Sequence, residues 1–223
     1  MSVLFPLRLS LQVAVCATLV TLLLGTPLAY VLARKKFRGK EILDLFLTLP
    51  MVLPPVVTGY FLLVLLGRNG YLGKAFFSLT GHHFGILFTW YAAVIASFVV
   101  SFPFMIKTAR ASMEAVDQDL INASYTLGRS ETETALRVVI PLSGRGIIAG
   151  ATLAFARAIG EFGATIMVAA NIPGKTNTMP LTIYNETLYG SRGAALWMVL
   201  LLVLVSGVVM YTSNRLGRRA IAL

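Results

Sequence analysis

The chain has 223 residues, of which 57% are hydrophobic and 13% are charged, and its formal net charge is +10. A soluble domain carries about 25% charged residues, so this composition excludes an ordinary soluble protein and predicts a membrane protein. The single cysteine, Cys16, excludes a disulfide within the chain and suits an apolar packing position.

Five long apolar segments follow one another along the chain, at 10–33, 43–66, 85–106, 146–170 and 195–213. Each reaches or nearly reaches the ~20 residues that a helix needs to cross ~30 Å of hydrocarbon. Backbone groups cannot stay unpaired in lipid, so the segments must be helical. We therefore expect an all-α, polytopic transmembrane helical bundle with five spans, forming a single domain over 1–223. The first segment is too long for a signal peptide and ends in a basic cluster, so we expect it to be retained.

Prolines interrupt three of these segments. Pro27 and Pro103 are isolated, whereas Pro50, Pro54 and Pro55 lie close together. A proline removes a helical hydrogen bond and usually bends the helix, and bending for packing is the simplest explanation for each one. The cluster predicts more, namely a broken or strongly bent helix. Such irregular backbone normally lies within protein or lines a water-filled path, which makes Pro54 and Pro55 candidate pore residues.

The basic residues predict the orientation of the spans. Thirteen of the 19 Lys and Arg residues lie in the 34–40 segment, the 107–145 segment and the C-terminal tail, the last contributing Arg215, Arg218 and Arg219. Five others lie on the opposite side, and Arg157 falls within a span. The positive-inside rule then places the N-terminus outside and the C-terminus in the cytoplasm. Because topology accounts for the positive charge, nucleic-acid binding is not expected.

The predicted outer loop at 67–84 has room for a short interfacial helix at about 72–79. His82 and His83 are adjacent in this loop, so they cannot face one metal ion from the same side of a helix. We expect no metal site.

The polar segment at 107–145 interrupts the apolar pattern. Between Asp117 and Gly128 the sequence predicts a short amphipathic helix that Asp117 caps and that Gly128 ends in a left-handed conformation. Ser130 and Glu133 have the spacing of a capping box, which starts a second helix, and Pro141 is expected to mark the break before the next span. A helix this short is not stable alone in water, so it must pack against something.

This segment resembles the conserved cytoplasmic loop of permeases from binding-protein-dependent ABC importers. The family pattern is Glu-Ala-Ala, three residues, Gly, about nine residues and an apolar stretch ending in Pro. Here it occurs as Asn122-Ala123-Ser124, Gly128 and Val138-Val139-Ile140-Pro141. The resemblance implies a coupling helix that docks on a cytoplasmic ATPase. It assigns docking to eight positions: Asp119, Leu120, Asn122, Ala123, Ser124, Leu127, Gly128 and Pro141. Asn122 replaces the family glutamate, which removes one polar contact.

The fourth segment is similar to the oxyanion branch of these permeases, particularly the molybdate/tungstate type. The residues that carry this resemblance are the Ala-Arg-x-x-Gly-Glu-Phe-Gly-Ala-Thr run that ends at Thr165 and the Asn-Ile-Pro-Gly-Lys-Thr run that begins at Asn171. Arg157 and Glu161 are four residues apart, and charges within a span usually have a partner and face a cavity. They are candidate gate residues, or they form a structural pair that locks the bundle. Thr165 and Asn171 are candidate hydrogen-bond donors to a tetrahedral anion.

The resemblance implies the permease subunit of an ATP-driven importer in the bacterial cytoplasmic membrane, carrying molybdate or tungstate. It implies a second copy of the chain, an ATPase dimer and an extracytoplasmic oxyanion-binding protein as partners, besides membrane lipid. The chain has no phosphate-binding Gly-x-x-x-x-Gly-Lys-Ser/Thr motif, so we expect no catalysis and no bound cofactor, with ATP and Mg²⁺ used by the partner ATPase.

Three alternatives remain open. A sulfate or thiosulfate permease shares the Gly-Glu-Phe-Gly core of the fourth segment. A secondary anion transporter or channel would work without an ATPase, although inverted-repeat signatures are absent from the sequence. An intramembrane enzyme would need a paired catalytic set, such as two convergent aspartates, and the sequence has none.

Overall fold

The computed structural model describes residues 3–83 and 85–219, without the side chains of Asn214 and residues 216–219. The predicted loop end at Phe84 and the side chains of Arg218 and Arg219 therefore lie outside the described residues. Within them, the regular structure is entirely helical: α1 (Leu4–Arg34), α2 (Lys40–Val52), α3 (Pro55–Leu66), α4 (Tyr71–Thr80), α5 (Trp90–Glu114), α6 (Gln118–Thr126), α7 (Glu131–Thr134), a π-helical turn (Ala135–Val139), α8 (Ile140–Leu142), α9 (Gly144–Ile159), α10 (Gly163–Ala169), α11 (Met179–Tyr189) and α12 (Arg192–Arg219).

Three of these helices are long and apolar enough to cross a membrane unbroken, namely α1, α5 and the 192–213 part of α12. Two further candidate spans are bent pairs: α2 with the segment from Pro55 to Thr80, and the segment from Glu131 to Leu142 with α9. The all-α multi-span fold class is thus confirmed, with up to five spans in the described part of the chain. Pro27 and Pro103 lie inside continuous helices, and the predicted short outer helix at 72–79 is present as α4.

The predicted break at the proline cluster is confirmed. α2 ends at Val52, α3 begins at Pro55, and the two segments are bent by 117°. Pro54 has the extended backbone angles φ −54° and ψ 134°, and Pro55 occupies the first position of α3. Proline is tolerated at that position because the first N–H groups of a helix have no partner within the helix.

The fourth span differs from the prediction of one continuous helix at 146–170. α9 ends at Ile159, and α10 begins only at Gly163. Glu161 therefore lies in the break between the helices, beyond the end of the helix that carries Arg157. The break before α9 is also displaced: Pro141 lies within α8, and the chain turns at Ser143 with a bend of 71°. Proline suits the first turn of a helix, so it does not itself interrupt α8.

The centre of the bundle is the contact between α1, α5 and α9. The side chain of Met105 on α5 is fully buried between two glycines. A Cβ atom at Gly25 of α1 would lie 2.9 Å from its Cγ, and one at Gly150 of α9 would lie 2.9 Å from its Sδ. Small residues let helix backbones approach closely in membranes, where packing and not water exclusion drives association.

α2 is joined to this bundle mainly through charge. None of its residues is buried, but Asp44 pairs with Lys107 at 2.9 Å and with Arg110 at 3.2 Å, both on α5. Arg110 also pairs with Glu114 at 2.7 Å. These pairs gather at the end of the bundle that carries the 34–40 basic cluster and α6. The bundle therefore has one polar, basic end on which the central segment folds.

Candidate functional site

Helix α6 has a defined beginning. The carboxylate of Asp117 accepts a hydrogen bond from the backbone N–H of Asp119 at 2.9 Å, as predicted for its N-cap. This bond satisfies one of the N–H groups that a helix leaves unpaired at its start. Asp119 adds negative charge in the first turn, which the helix dipole favours.

The end of α6 is equally defined. Gly128 has a φ of +78°, the left-handed conformation predicted for it. Its N–H donates to the carbonyl of Tyr125 at 2.9 Å, and the N–H of Arg129 donates to the carbonyl of Ser124 at 3.2 Å. This pair of bonds is a Schellman motif, which satisfies the last carbonyls of the helix. α6 thus has fixed limits at both ends.

One face of α6 packs on its own chain. Ile121 is buried in an apolar cluster with Met113 of α5 and Val139 of the π-helical turn. Ser124 is buried as well, and its hydroxyl lies 2.9 Å from that of Thr134 on α7. Ser124 was predicted to belong to the docking surface, but the structure places it on the inner face, where it joins α6 to α7.

The other faces of α6 are uncovered within the described part of the chain. Leu120 is 49% exposed and Leu127 is 79% exposed. The remaining predicted docking residues on this helix, Asp119, Asn122 and Ala123, are exposed too, as is Gly128. Pro141 is exposed on the neighbouring α8. Leu120, Ala123 and Leu127 are therefore exposed on the outer side of α6, while Ile121 and Ser124 hold the helix in place.

The capping box at the start of α7 is confirmed. The hydroxyl of Ser130 accepts from the N–H of Glu133 at 3.3 Å, and the Glu133 carboxylate accepts from the N–H of Ser130 at 3.0 Å. The backbone hydrogen bond from Ser130, followed by its hydroxyl, lowers the pKa of Glu133 below the ordinary value of 4.5. The segment after α6 is therefore ordered by local bonds before it continues into the π-helical turn.

The two helix breaks within the bundle lie against each other. A Cβ atom at Gly163, the first residue of α10, would lie 3.0 Å from Cβ of Pro55 and 3.1 Å from the backbone N of Val56. One at Gly59 of α3 would lie 2.7 Å from Cα of Ala164. We call this contact between α3 and α10 the break seam. The predicted pore residue Pro55 lies in this seam, whereas Pro54 beside it is exposed.

Arg157 and Glu161 form an ion pair, with Nη1 and Oε2 at 2.6 Å. The Glu161 side chain is only 1% exposed, and its other oxygen accepts from the N–H of Ala164 at 2.8 Å. Both carboxylate oxygens are thus engaged, one with the guanidinium and one with the start of α10. This arrangement favours the structural explanation for Glu161, since it holds α9 and α10 together across the break. The Arg157 side chain is 26% exposed.

Two threonines border the break seam. Thr165 on α10 was predicted as a site residue and is buried, and so is Thr58 on α3, which sequence reasoning missed. Neither hydroxyl has a hydrogen-bond partner among the described residues. A buried polar group without a partner is costly, which marks such a position as a candidate for a ligand or water contact. The sequence feature that could have identified Thr58 is its position four residues after Pro54, close to the predicted helix break.

Asn171 is not part of the break seam. It follows α10, its side-chain amide donates to the carbonyl of Leu181 at 3.2 Å, and it lines a separate cleft of about 220 Å³. Asn177, Asn185 and Glu186 also line this cleft. The structure therefore brings together Pro55, Glu161 and Thr165 of the predicted pore residues around one contact and leaves Asn171 apart.

The chain matches a known protein family over most of its length. The family model for "Binding-protein-dependent transport system inner membrane component" matches residues 25–222. A Haemophilus influenzae protein named molybdenum transport system permease protein ModB is 46% identical over 179 residues, covering 80% of this chain and 77% of that protein. The Escherichia coli protein of the same name is 46% identical over 189 residues, covering 84% and 82%. Among solved structures, a chain of the MetNI methionine ABC transporter in an inward-facing conformation has a TM-score of 0.75 at 15% identity, covering 98% of this chain and 99% of that one. That likeness shows a shared fold.

Proposed function

Because this chain belongs to the family of binding-protein-dependent transport system inner membrane components, we propose that it is the permease subunit of an ATP-driven molybdate importer. It is a multi-pass protein of the bacterial cytoplasmic membrane.

One observation supports the transport mechanism above the others: α6 is a short helix with both ends capped and an uncovered apolar flank. Leu120 and Leu127 are exposed on the polar, basic end of the bundle. An isolated helix of nine residues is unstable in water, so such a helix gains stability from a partner surface. The partner is a cytoplasmic ATPase, with α6 in a groove of that protein. ATP and Mg²⁺ are bound and used there, and this chain is not catalytic.

The break seam supports a path for an oxyanion. Arg157 is neutralised by Glu161, so a passing dianion does not meet a bare, trapping cation. The buried hydroxyls of Thr58 and Thr165 have no partner among the described residues, and they donate to its oxygens when the seam opens. Irregular backbone at membrane depth is tolerated where it lies within protein or lines a water-filled cavity, and two breaks meet at this seam. Closure of the ATPase draws the docking helices together and moves the spans that flank the seam.

A single chain with five candidate spans makes a narrow bundle. The complete transporter therefore contains two copies of this chain around a two-fold axis, two ATPase subunits and an external oxyanion-binding protein that selects the substrate. The N-terminus is outside and the C-terminus is in the cytoplasm, as the distribution of basic residues requires. Exposed apolar side chains on α12, such as Leu196, Val203 and Leu204, contact lipid or the second copy.

The test is uptake of labelled molybdate by proteoliposomes that contain this chain with its partner ATPase and oxyanion-binding protein. We expect uptake that requires ATP and that unlabelled molybdate and tungstate suppress. Strong suppression by sulfate at equal concentration would transfer the assignment to a sulfate permease. Uptake that persists without the ATPase and follows an ion gradient would instead identify a secondary transporter.

A further inference from the structure

Arg34, the last residue of α1, reaches three acceptors on three successive parts of the chain. Its Nη2 donates to the carbonyl of Met113 at 2.5 Å and to the carbonyl of Val116 at 2.7 Å. Its Nη1 donates to the side-chain oxygen of Gln118 at 3.3 Å. These acceptors belong to the last turn of α5, the connecting turn and the first residue of α6. One guanidinium therefore bridges the whole corner between α5 and α6.

The chemistry of this corner suits arginine specifically. The last carbonyls of a helix have no partner within it, and they carry the negative end of its dipole. A planar guanidinium offers several N–H donors in a fixed fork, whereas a lysine ammonium is a compact point charge. Arg34 binds the carbonyl of Met113 in the last turn of α5 and that of Val116 in the turn that follows, and it still reaches α6. A lysine on a shorter, single-headed side chain cannot keep the same three contacts.

The neighbouring residues Lys35 and Arg38 do not bridge α5 and α6. Lys35 pairs with Glu131, but both side chains are more than 40% exposed, so the pair is screened by solvent. Arg38 is exposed and has no ion pair or side-chain hydrogen bond within residues 3–83 and 85–219. Among the described side chains of the basic cluster, Arg34 is the one that contacts both α5 and α6.

The other attachments of α6 are apolar or hydroxyl contacts. Ile121 packs in a cluster that includes Met113 of α5 and Ala29 of α1, and the Ser124–Thr134 contact fixes α6 to α7. Arg34 adds directional hydrogen bonds to this packing, from the end of α1 to the end of α5 and the first residue of α6. Apolar contacts can slide, whereas these bonds fix the position of α6 relative to α1 and α5.

We propose that Arg34 is the positioning residue that makes α1, α5 and α6 move as one unit, so that displacement of the docking helix reaches the membrane spans. This role rests on the proposed function, in which α6 receives its movement from an ATPase. It goes beyond docking, because Arg34 lies behind the docking helix and does not contribute to its exposed face.

The experiment measures molybdate taken up per ATP hydrolysed, in proteoliposomes with the partner ATPase and the binding protein. We compare Arg34→Gln and Arg34→Lys with Arg38→Gln, which removes the same charge from the same cluster without removing a helix contact. Coupling between sites in proteins typically changes equilibria by about 5–150-fold, so we expect a loss on the order of tenfold for Arg34→Gln. Arg34→Lys should retain part of the coupling, and Arg38→Gln should match the parent protein.

Co-purification of the ATPase and its basal hydrolysis should persist in Arg34→Gln, because the exposed docking face is unchanged. A parental uptake ratio in this variant would overturn the proposal. If Arg34→Gln does not assemble, the variants Arg34→Lys and Gln118→Ala test the proposal. Each of them removes contacts of Arg34 while the positive charge at residue 34 is kept. Parental ratios in both would overturn the proposal, and lowered ratios in assembled complexes would support it. Failure of the proposed function itself is distinguishable, because the parent protein would then show no ATP-dependent uptake.

Discussion

Gly128 determines where α6 ends, and its substitution tests whether that end matters for transport. Its φ of +78° is a conformation that L-residues rarely adopt. A Cβ atom added there would meet no atom within 4 Å, so the space around the residue is open. Any effect of a substitution therefore comes from the backbone and not from crowding within this chain. We compare Gly128→Val with Gly128→Asn.

The magnitude follows from the backbone alone. A left-handed conformation costs an L-residue about 1–2 kcal/mol, and a β-branched residue is the least suited to it. Asparagine is enriched several-fold in this conformation, so it should lose little. One or two kcal/mol changes an equilibrium by roughly 5–30-fold. For Gly128→Val, the balance between the correctly ended helix and a frayed one shifts by this factor towards the frayed form.

The assay is again uptake per ATP hydrolysed in the reconstituted complex. Gly81 provides a matched control, because it ends the outer helix α4 with a φ of +70° and also has open space around it. Gly81→Val introduces the same backbone strain on the opposite side of the protein. We expect Gly128→Val to lower the uptake ratio severalfold, while Gly128→Asn and Gly81→Val stay near the parental value.

Two results would refute this reasoning. If Gly128→Val coupled as well as the parent protein, the left-handed end of α6 would have no role in transport. If Gly128→Asn were as damaging as Gly128→Val, side-chain bulk against the partner would be the cause, and the backbone argument would be wrong.

The remaining predictions concern the break seam and the capping box. Gly59→Ala should lower stability by about 1–3 kcal/mol through overpacking, visible as a lower unfolding temperature in detergent. Gly207→Ala in α12 should leave the unfolding temperature unchanged, because a Cβ atom there meets nothing within 4 Å. Equal unfolding temperatures for the two variants would contradict the close approach of α3 and α10. Glu161→Gln should cost about 2 kcal/mol, because it leaves a partly buried guanidinium without its anion, and an unchanged unfolding temperature would count against the pair. The lowered pKa of Glu133 means that its contribution to α7 is present above the ordinary value of 4.5 and is lost as the pH falls through the lower folded value. Amide exchange at residues 130–134, corrected for its intrinsic pH dependence, should therefore quicken in acid for the parent protein but not for Glu133→Gln.

Local chemistry made much of the docking loop predictable from the sequence. Asp117, Gly128 and the Ser130–Glu133 pair act within a few residues of the chain, so their spacing alone predicted the caps that the structure contains. The proline cluster predicted the first helix break for the same reason. The exposed face of α6 was harder to predict from the sequence, because Leu120 is apolar like a core residue and only the structure shows that it is exposed.

Three features depended on the tertiary structure. The break at Gly160–Phe162 was missed because residues 146–170 have the length and overall hydropathy of one span, and hydropathy cannot distinguish one span from two short helices. The burial of Ser124 was not predicted, since its partner Thr134 comes from another helix. The contacts of Arg34 join residues 79 to 84 positions apart in the chain.

The sequence by itself determined the membrane class, the approximate location of the apolar segments, the caps of α6 and the likeness to importer permeases, because hydropathy and capping are properties of neighbouring residues. Only the tertiary structure decided which helix breaks meet, which side of α6 is covered, and that the last residue of α1 bridges α5 and α6. Those outcomes depend on helices packing across the bundle, and no local pattern encodes the distance between them.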